Sequence, residues 1–287
     1  ILGLVGSEMC IRDRYRVLAR KYRPQNFKDL IGQDVLVRTL SNAFSQGRLA
    51  HAFILTGVRG VGKTTTARII AKGINCIGAD GKGDATIDPC GVCANCTGIM
   101  EDRHVDVMEM DAASRTGVDD IREILDGVRY KPVTARNKVY IIDEVHMLSR
   151  NAFNALLKTL EEPPENVKFI FATTEIRKVP VTVLSRCQRF DLKRLGMEDL
   201  ARLFSTVCQK ENITIERDAL YALGRAADGS ARDGLSLLDQ SMALSVGEIT
   251  AEVVQGMLGS SDRANILDLF EETMSGDITT ALNHLEK

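Results

Sequence analysis

The chain has 287 residues, of which 44% are apolar and 26% charged, a composition typical of a globular protein rather than a disordered one. Its net charge of −2 and isoelectric point of about 6.2 exclude a bulk attraction to nucleic acid, so any DNA contact must come from a local patch. No apolar run approaches the roughly 20 residues of a membrane span. We expect a cytoplasmic protein with two domains and the start of a third.

The two ends of the chain differ in pattern from the rest. The first residues include GSEMCIRDR, which has no periodicity that would build a helix or a strand, and we expect residues 1–14 to be a non-native leader. The last residues, ITTALNHLEK, stop within an amphipathic helical pattern. We therefore expect the C-terminal part of the protein to be cut short.

Within residues 15–192, short apolar runs alternate with helical patterns. The runs are rich in Val, Ile and Phe, which predicts strands buried on both faces of a parallel sheet. They lie at 52–57, 105–112, 138–144 and 167–175. After the third run, Phe153, Leu156 and Leu160 share one helix face, and Pro163 ends that helix. The predicted fold class is α/β, with ligands at the carboxyl edge of the sheet.

Beyond residue 192 the pattern becomes helical. Four segments read as helices, separated by Gly, Asn and Asp, and no strand of comparable strength is expected among them. These segments are 198–211, 216–227, 231–245 and 250–258. We predict a small all-helical domain over 193–259, joined to the first domain by DLKRLG, and the start of another helical domain over 260–287.

A glycine-rich stretch follows the first predicted strand. GVRGVGKT fits the phosphate-loop pattern G-x-x-x-x-G-K-[ST] and opens a predicted helix over 63–73. Its backbone N–H groups can point at phosphate oxygens, Lys63 can neutralise the β- and γ-phosphates, and the Thr64 hydroxyl can bind Mg²⁺. The expected nucleotide-binding residues are Gly57, Val58, Arg59, Gly60, Val61, Gly62, Lys63, Thr64 and Thr65. The alternative is a glycine-rich turn with a solvated lysine.

Acidic residues close the third predicted strand, in VYIIDEVH. We predict that Asp143 helps to hold Mg²⁺ and that Glu144 polarises the attacking water. His146 could tune Glu144, although we favour an ordinary polar residue at a strand end. Thr174, at the end of the next strand, could hydrogen-bond the γ-phosphate or the attacking water.

Four cysteines predict a metal site. Cys76, Cys90, Cys93 and Cys96 have the spacing C-x13-C-x2-C-x2-C, and three thiols within seven residues suit tetrahedral Zn²⁺ better than disulfides. An iron–sulfur cluster is the alternative, but the Cys-Pro that follows such triplets in ferredoxins is missing here. Because all four predicted ligands are thiols, we expect structural zinc in a module spanning 76–96 rather than a catalytic metal.

Several motifs together resemble one family. They are YRVLARKYRPQNFKDLIGQ, the phosphate loop, the cysteine cluster, DAASRTGVDDIREI, IIDEVHMLSRNAFNALLKTLEEPP, PVTVLSRC and GSARDGLSLLDQ. From Tyr15 to about Leu258 the sequence resembles the gamma/tau subunits of bacterial DNA polymerase III, the AAA+ ATPases of the sliding-clamp loader. The resemblance implies an AAA+ phosphate-loop sheet flanked by helices, with an inserted zinc module, a helical lid domain over 193–259 and a truncated collar over 260–287.

The resemblance also implies roles for individual residues. Arg186, in the Ser-Arg-Cys motif, would be an arginine finger that enters the ATP site of a neighbouring subunit in trans, and such fingers are worth about 10³–10⁵ in rate. Pairing with a local carboxylate is the alternative. Arg232 would close the lid over the γ-phosphate. Arg23, Pro24 and Gln33 would lie near the nucleotide base.

The implied function is that of an ATP- and Mg²⁺-dependent motor that opens the sliding clamp and loads it onto primer-template DNA. Its implied partners are delta, delta prime and further gamma/tau copies in a pentameric, replisome-associated loader. The sequence shows nothing like the metal-binding carboxylates of a polymerase site. Two alternatives stay open: a hexameric AAA+ motor of the branch-migration or helicase type, and a scaffold subunit that does not hydrolyse ATP.

Overall fold

A computed structural model describes residues 16–115, 117–245, 247–259 and 261–285. The segment that the sequence predicts to be a leader, 1–14, lies outside the described residues. Within them, no helix is long and apolar enough to cross a membrane.

The described residues contain a five-stranded, wholly parallel sheet in the order β2-β3-β4-β1-β5. Its strands are β1 (Ala52–Thr56), β2 (Val107–Asp111), β3 (Lys138–Asp143), β4 (Val167–Thr173) and β5 (Gln188–Asp191). The first four confirm the strands predicted from apolar runs. Strand β5 was not predicted, because it is short and alternates polar and apolar residues as an edge strand does.

The edge strand β2 differs from the prediction. Strand β2 was predicted to be buried on both faces, but it pairs on one side only, with β3. Its side chains are accordingly half exposed, with Met108 showing 46% of its surface. Full burial applies to β1, which lies between β4 and β5 and in which every residue is buried.

Helices cover both faces of the sheet. In chain order they are α1 (Leu18–Lys21), α2 (Asp34–Ser45), α3 (Lys63–Asn75), α4 (Ala94–Met100), α5 (Val118–Val128), α6 (Arg150–Glu161) and α7 (Val181–Leu184). Single turns of 3₁₀-helix lie at Phe27–Asp29, Val145–Met147 and Ile176–Lys178. One apolar layer packs α5 and α6 against the sheet, and the other packs α2 and α3 against its opposite face. The predicted α/β architecture is therefore confirmed.

A helical region follows β5. Its helices are α8 (Met197–Glu211), α9 (Arg217–Ala226), α10 (Ala231–Leu244) and α11 (Ala251–Leu258), within a residue or two of the predicted segments. Their common core contains Phe204, Leu223 and Leu238. No strand comparable to those of the sheet lies in this described region, although two-residue strands β6 (Thr214–Ile215) and β7 (Glu248–Ile249) form a short parallel pair.

Two features connect the N-terminal segment to this helical region. Leu18 of α1 belongs to the helical core, and the Tyr22 hydroxyl donates to Glu211 at 2.6 Å.

Beyond α11, α12 (Ser261–Ser275) and α13 (Ile278–Leu285) pack against each other. Phe270 and Ile278 leave 62% and 71% of their surfaces exposed there.

Candidate nucleotide site

The predicted phosphate loop joins β1 to the N-terminus of α3, at the carboxyl edge of the sheet. Backbone N–H groups are free at a helix N-terminus, which makes it a natural anion site. Gly62 caps α3 with φ of +100°, a conformation that favours glycine. Gly60, with φ of +77°, would place an added Cβ only 1.9 Å from the Ser230 hydroxyl oxygen. The loop therefore lies directly beneath the start of α10.

Lys63 is folded back onto its own loop. Its ammonium donates to the carbonyl oxygens of Gly57 at 3.0 Å and Val58 at 3.1 Å, and the residue is 6% exposed. Burial lowers the pKa of Lys63, although the nearby carboxylates of Glu144 and Asp143 oppose that shift. In a nucleotide complex, charged phosphate oxygens would take the place of these neutral carbonyl oxygens as acceptors for the Lys63 ammonium.

The second half of the site comes from the end of β3. The Thr64 hydroxyl lies 2.5 Å from Oδ2 of Asp143, and Oδ1 of Asp143 accepts the backbone N–H of Glu144 at 2.9 Å. A hydroxyl and a carboxylate are both ligands that Mg²⁺ accepts. The structure therefore brings together the two residues predicted to hold this ion.

Glu144 follows in the left-handed conformation, with φ of +46°. This turn directs its carboxylate along the edge toward β4. Oε2 accepts the backbone N–H of Thr174 at 3.2 Å and its hydroxyl at 3.0 Å. The residue predicted as water activator and the residue predicted as phosphate sensor are therefore bonded to each other in this chain.

His146 lies closer to this chemistry than the favoured interpretation of the sequence suggested. Its side chain is 6% exposed, and Nδ1 lies 3.4 Å from Oε2 of Glu144 and 3.0 Å from the Thr173 hydroxyl. Nε2 lies 3.4 Å from the Glu175 carboxylate. The contact with Glu144 is what the alternative requires, and a role of His146 in tuning Glu144 stays a prediction. Its place in DEVH, two residues after Glu144, was the available signal.

The residues assigned to the base pocket and the lid come from the N-terminal segment and from the start of α10. The backbone N–H of Arg232 donates to the Gly60 carbonyl at 3.2 Å, while its side chain stays exposed. Gln33 is 5% exposed and bonds both the N–H and the carbonyl of Lys193. Arg23 and Pro24 are half-buried. Burial lowers the pKa of Arg23, with further repulsion from nearby arginines that include Arg232.

Arg186 lies near the end of α7 and does not join this cluster within the chain. Its guanidinium donates to the Glu161 carboxylate at 2.5 Å and to the Thr182 carbonyl at 2.6 Å. Local pairing, the alternative considered for Arg186, is therefore what the isolated chain adopts. Both partners keep exposed surface, with 31% for Arg186 and 51% for Glu161.

The four cysteines come together at the far end of α3. Ligand atoms of Cys76, Cys90, Cys93 and Cys96 all lie within 4.8 Å of one another. Backbone N–H groups point at their sulfurs, for example Cys90 N–H at Sγ of Cys76 over 3.3 Å. Such donors stabilise thiolate, the form that binds metals. The donor set and spacing therefore fit a tetrahedral, closed Zn²⁺ site.

Comparison with known proteins agrees with this geometry. Family models match as DNA polymerase III, delta subunit, over residues 32–196, as clamp loader subunit, ATPase lid domain, over 200–247, and as subunits gamma and tau domain III over 249–287. The gamma subunit of Buchnera aphidicola (subsp. Baizongia pistaciae) is 44% identical over 94% of this chain and 69% of its own length. The chain belongs to the DNA polymerase III gamma/tau family. The Escherichia coli tau subunit is 52% identical over 90% of this chain, and that of Bacillus subtilis 44% over 95%.

This member of the gamma/tau family spans 39% of the length of the Escherichia coli relative and 48% of that from Bacillus subtilis. Among solved structures, the RuvB Holliday junction branch migration motor of Thermotoga maritima superposes with a TM-score of 0.61. That match covers 83% of this chain and 72% of the other at 19% identity. At such low identity the likeness supports a shared fold only, so it does not favour a branch-migration function.

Proposed function

We propose that the chain is an ATP-binding and ATP-hydrolysing motor subunit of a clamp loader, which opens a sliding clamp and loads it onto primed DNA. One observation carries the ATPase part: the Thr64 hydroxyl meets the Asp143 carboxylate at 2.5 Å beside the phosphate loop. Two distant segments of the sequence would thereby form a magnesium–phosphate site. Membership of the gamma/tau family supplies the clamp-loading context.

ATP binding would use the groups that now bond to each other. The loop from Gly57 to Thr65 would direct its N–H groups at the phosphates, and Lys63 would leave the carbonyls of Gly57 and Val58 for the β- and γ-phosphates. Thr64 and Asp143 would hold Mg²⁺, which neutralises developing charge on the phosphates when bound. Arg23, Pro24 and Gln33 would border the base.

Hydrolysis requires a positioned water and a base. Glu144 is the carboxylate that would take the proton, since it stands next to Asp143 at the sheet edge. Thr174 now donates to that carboxylate. A γ-phosphate offers the Thr174 hydroxyl a competing acceptor, so nucleotide binding would free Glu144 to reach the water. Thr174 would in this way report the presence of the γ-phosphate.

Two arginines would complete the charge balance. Arg186 would enter the site of a neighbouring subunit, since its pair with Glu161 is a partly exposed one, of a kind worth about 1 kcal/mol or less. Arg232 would turn its exposed side chain onto the γ-phosphate from above Gly60, with which its backbone already bonds. Hydrolysis would then depend on assembly, because one of the two arginines comes from another chain.

The proposed partners follow from the family. They are delta, delta prime and further gamma/tau copies in a pentameric loader, the sliding clamp, and primer-template DNA. ATP would favour the assembled, clamp-opening conformation because it binds that conformation better than the loose one. DNA would be held mainly through its backbone, with an affinity that falls steeply with salt.

We also propose that the four-cysteine cluster holds structural zinc. The fit of the donor set supports this assignment, and four thiolate ligands leave no open position for a substrate. The module would stabilise the region where α3 ends and α4 begins rather than take part in hydrolysis.

The ATPase proposal is tested with Glu144→Gln. The amide cannot accept a proton, so ATP turnover of the reconstituted loader with clamp and primed DNA should fall by about 10²–10⁴. Binding of a fluorescent ATP analogue should be unchanged. Glu175→Gln is the matched control, because it removes another carboxylate beside the same His146 but leaves turnover near the wild-type rate.

A result of no turnover by the wild-type loader, with ATP still bound, would favour the scaffold alternative instead. Equal loss in the two glutamine variants would contradict the assignment of Glu144 as the base. A closed six-membered ring in electron microscopy would favour the hexameric motor.

A further inference from the structure

Lys72 is a buried cation that the proposed ATPase chemistry does not use. It lies on α3 next to the buried residues Ile70, Ala71 and Ile74, and it is 1% exposed. Its ammonium donates to the backbone carbonyl of Gln25 at 2.6 Å. A charge removed so completely from water needs opposite charge nearby to be tolerated.

The cysteine cluster begins one helical turn from Lys72, where the backbone N–H of Cys76 donates to the Lys72 carbonyl at 2.7 Å. Burial lowers the pKa of Lys72, whereas attraction from Cys96, Cys76 and Cys90, and then from Asp29, opposes that shift. A divalent ion held by four thiolates leaves the cluster with a net charge of about −2. The ammonium is thus a countercharge for the loaded metal site, outside its ligand sphere.

Gln25 in turn bonds to Arg23, one of the residues proposed to border the base. Gln25 uses its side-chain amide to donate to the Arg23 carbonyl at 3.0 Å, and its backbone N–H donates to Asp29 at 3.2 Å. Arg23 is half-buried and close enough to Arg232 for their charges to repel. The segment 23–25 therefore connects the cysteine cluster to the border of the proposed base site.

This connection spans the length of α3. The helix runs from Lys63 in the phosphate loop to Asn75, with Cys76 as its C-terminal cap. Thirteen residues of α-helix separate the two sites by about 20 Å. Lys72 lies one turn from the cysteine end of α3. Its hydrogen bond to Gln25 therefore links this end of the helix to segment 23–25.

We propose that Lys72 is a positioning residue that couples occupancy of the four-cysteine site to nucleotide affinity by holding segment 23–25 against the nucleotide pocket. The inference rests on the proposed ATP and zinc sites and adds a link between them. With the metal bound, the negative cluster fixes the ammonium, and the ammonium fixes the Gln25 carbonyl. Without the metal, the four sulfurs are no longer held together, so the ammonium loses its fixed counterion and the segment loses its anchor.

The test measures coupling rather than activity. In the assembled loader, we would measure the dissociation constant of a fluorescent ATP analogue with zinc bound and after chelation. Zinc affinity, from competition with a chelator, would be measured with and without the nucleotide. Coupling is reciprocal, so both affinities should change by the same factor, about 5- to 50-fold for the wild type.

Lys72→Met keeps the length and apolar stem of the side chain and removes its charge. We expect the coupling factor to fall to about one in this variant. Lys72→Gln keeps a donor for Gln25 without the charge and should also lose most of the coupling, which provides a second variant if the first does not fold. Lys168→Met is the matched control. Lys168 on β4 is also a partly buried lysine that donates to a backbone carbonyl, that of Leu49 at 3.2 Å.

Wild-type coupling retained in both Lys72 variants would overturn the inference. Loss of coupling in Lys168→Met as large as in Lys72→Met would also overturn it, since any buried lysine would then serve. Binding of nucleotide and zinc by the wild type without mutual influence would overturn this inference alone. No nucleotide binding by the wild type would overturn the proposed function as well.

Discussion

At the scale of single residues, the carboxylate of Glu144 is restrained before any nucleotide arrives. Thr174 donates to it twice, and the ring of His146 lies 3.4 Å away. These contacts depend on the left-handed backbone of Glu144, which turns the side chain toward β4. A resting chain would therefore hold its base away from the water it must activate, which disfavours futile hydrolysis.

Another carboxylate has a structural role. Asp106 is 2% exposed and accepts the backbone N–H groups of Val133, Thr134 and Ala135 at 2.7–2.9 Å. Burial opposes its ionisation, but these hydrogen bonds prevail and hold the pKa of Asp106 below its usual value. Asp106 thereby fixes the loop that leads into β3 and so helps to place Asp143.

Asp106→Asn should lower the free energy of unfolding by about 1.5–3 kcal/mol at pH 7, measured by urea denaturation. Because the folded pKa lies below the unfolded value of about 3.9, this stabilisation is complete above that value and is lost as the pH falls through the folded pKa. The difference between wild type and variant should therefore shrink below about pH 4.

The control for this measurement is Asp119→Asn. Asp119 pairs with Arg122 on the surface of α5, where 92% of its side chain is exposed, so little stability should be lost. A pH-independent difference for Asp106→Asn, or one no larger than for Asp119→Asn, would contradict the account.

The sequence could predict some site residues but not others. Lys63, Thr64 and Asp143 follow local spacing rules, because a phosphate loop and a strand end need particular residues at particular offsets. His146 and Lys72 contribute through tertiary packing. Whether a single polar residue is buried beside a carboxylate or a thiol depends on elements far away in the chain, and a short motif does not record that.

At the scale of elements, apolar runs predicted β1 to β4, of which only β2 lies at an edge of the sheet. Strand β5 was missed because an edge strand needs only one apolar face, and QRFD offers little more than Phe190. The short β6–β7 pair was missed for a similar reason, since two residues carry no periodicity. The lid helices, each with a clear apolar face, were predicted to within a residue or two.

The cysteine module is the element whose stability should depend on metal. Purified without chelator, the protein should contain about one zinc per chain by elemental analysis. Cys90→Ser should lose the metal and increase proteolysis within 76–96, because the thiolates would repel one another without the ion. Cys187→Ser changes a cysteine outside the cluster, so this variant should keep the metal. Iron in place of zinc, or equal metal loss in both variants, would refute this assignment.

At the scale of the whole molecule, the helical region and the sheet meet at the nucleotide site. Arg232 bonds Gly60, Gln33 bonds Lys193 at the junction, and Leu18 at the N-terminal end packs into the helical core. A nucleotide bound between these parts would contact both. In the proposed motor, such a nucleotide would change their relative position.

The overall architecture was predictable because alternating strand and helix patterns specify an α/β sheet, and a run of amphipathic helices specifies an all-helical domain. The return of α1 to the helical core was not predictable. Leu18 lies 179 residues before Met197, where α8 begins, and only packing shows that they share a core. The proposed boundaries at 192 and 259 remain predictions.

We propose that each hydrolytic site is shared by two chains. The most direct test reconstitutes loaders with Arg186→Ala subunits, with Lys63→Ala subunits, and with an equal mixture of the two, and measures ATP turnover with clamp and primed DNA. Arg186→Ala should still bind ATP, whereas Lys63→Ala should not. In the mixture, an intact Lys63 can meet an intact Arg186 from its neighbour, so turnover should exceed the mean of the separate preparations. Turnover at or below that mean would contradict a shared site, as would a lone wild-type chain that hydrolyses ATP at the full rate of the assembled loader.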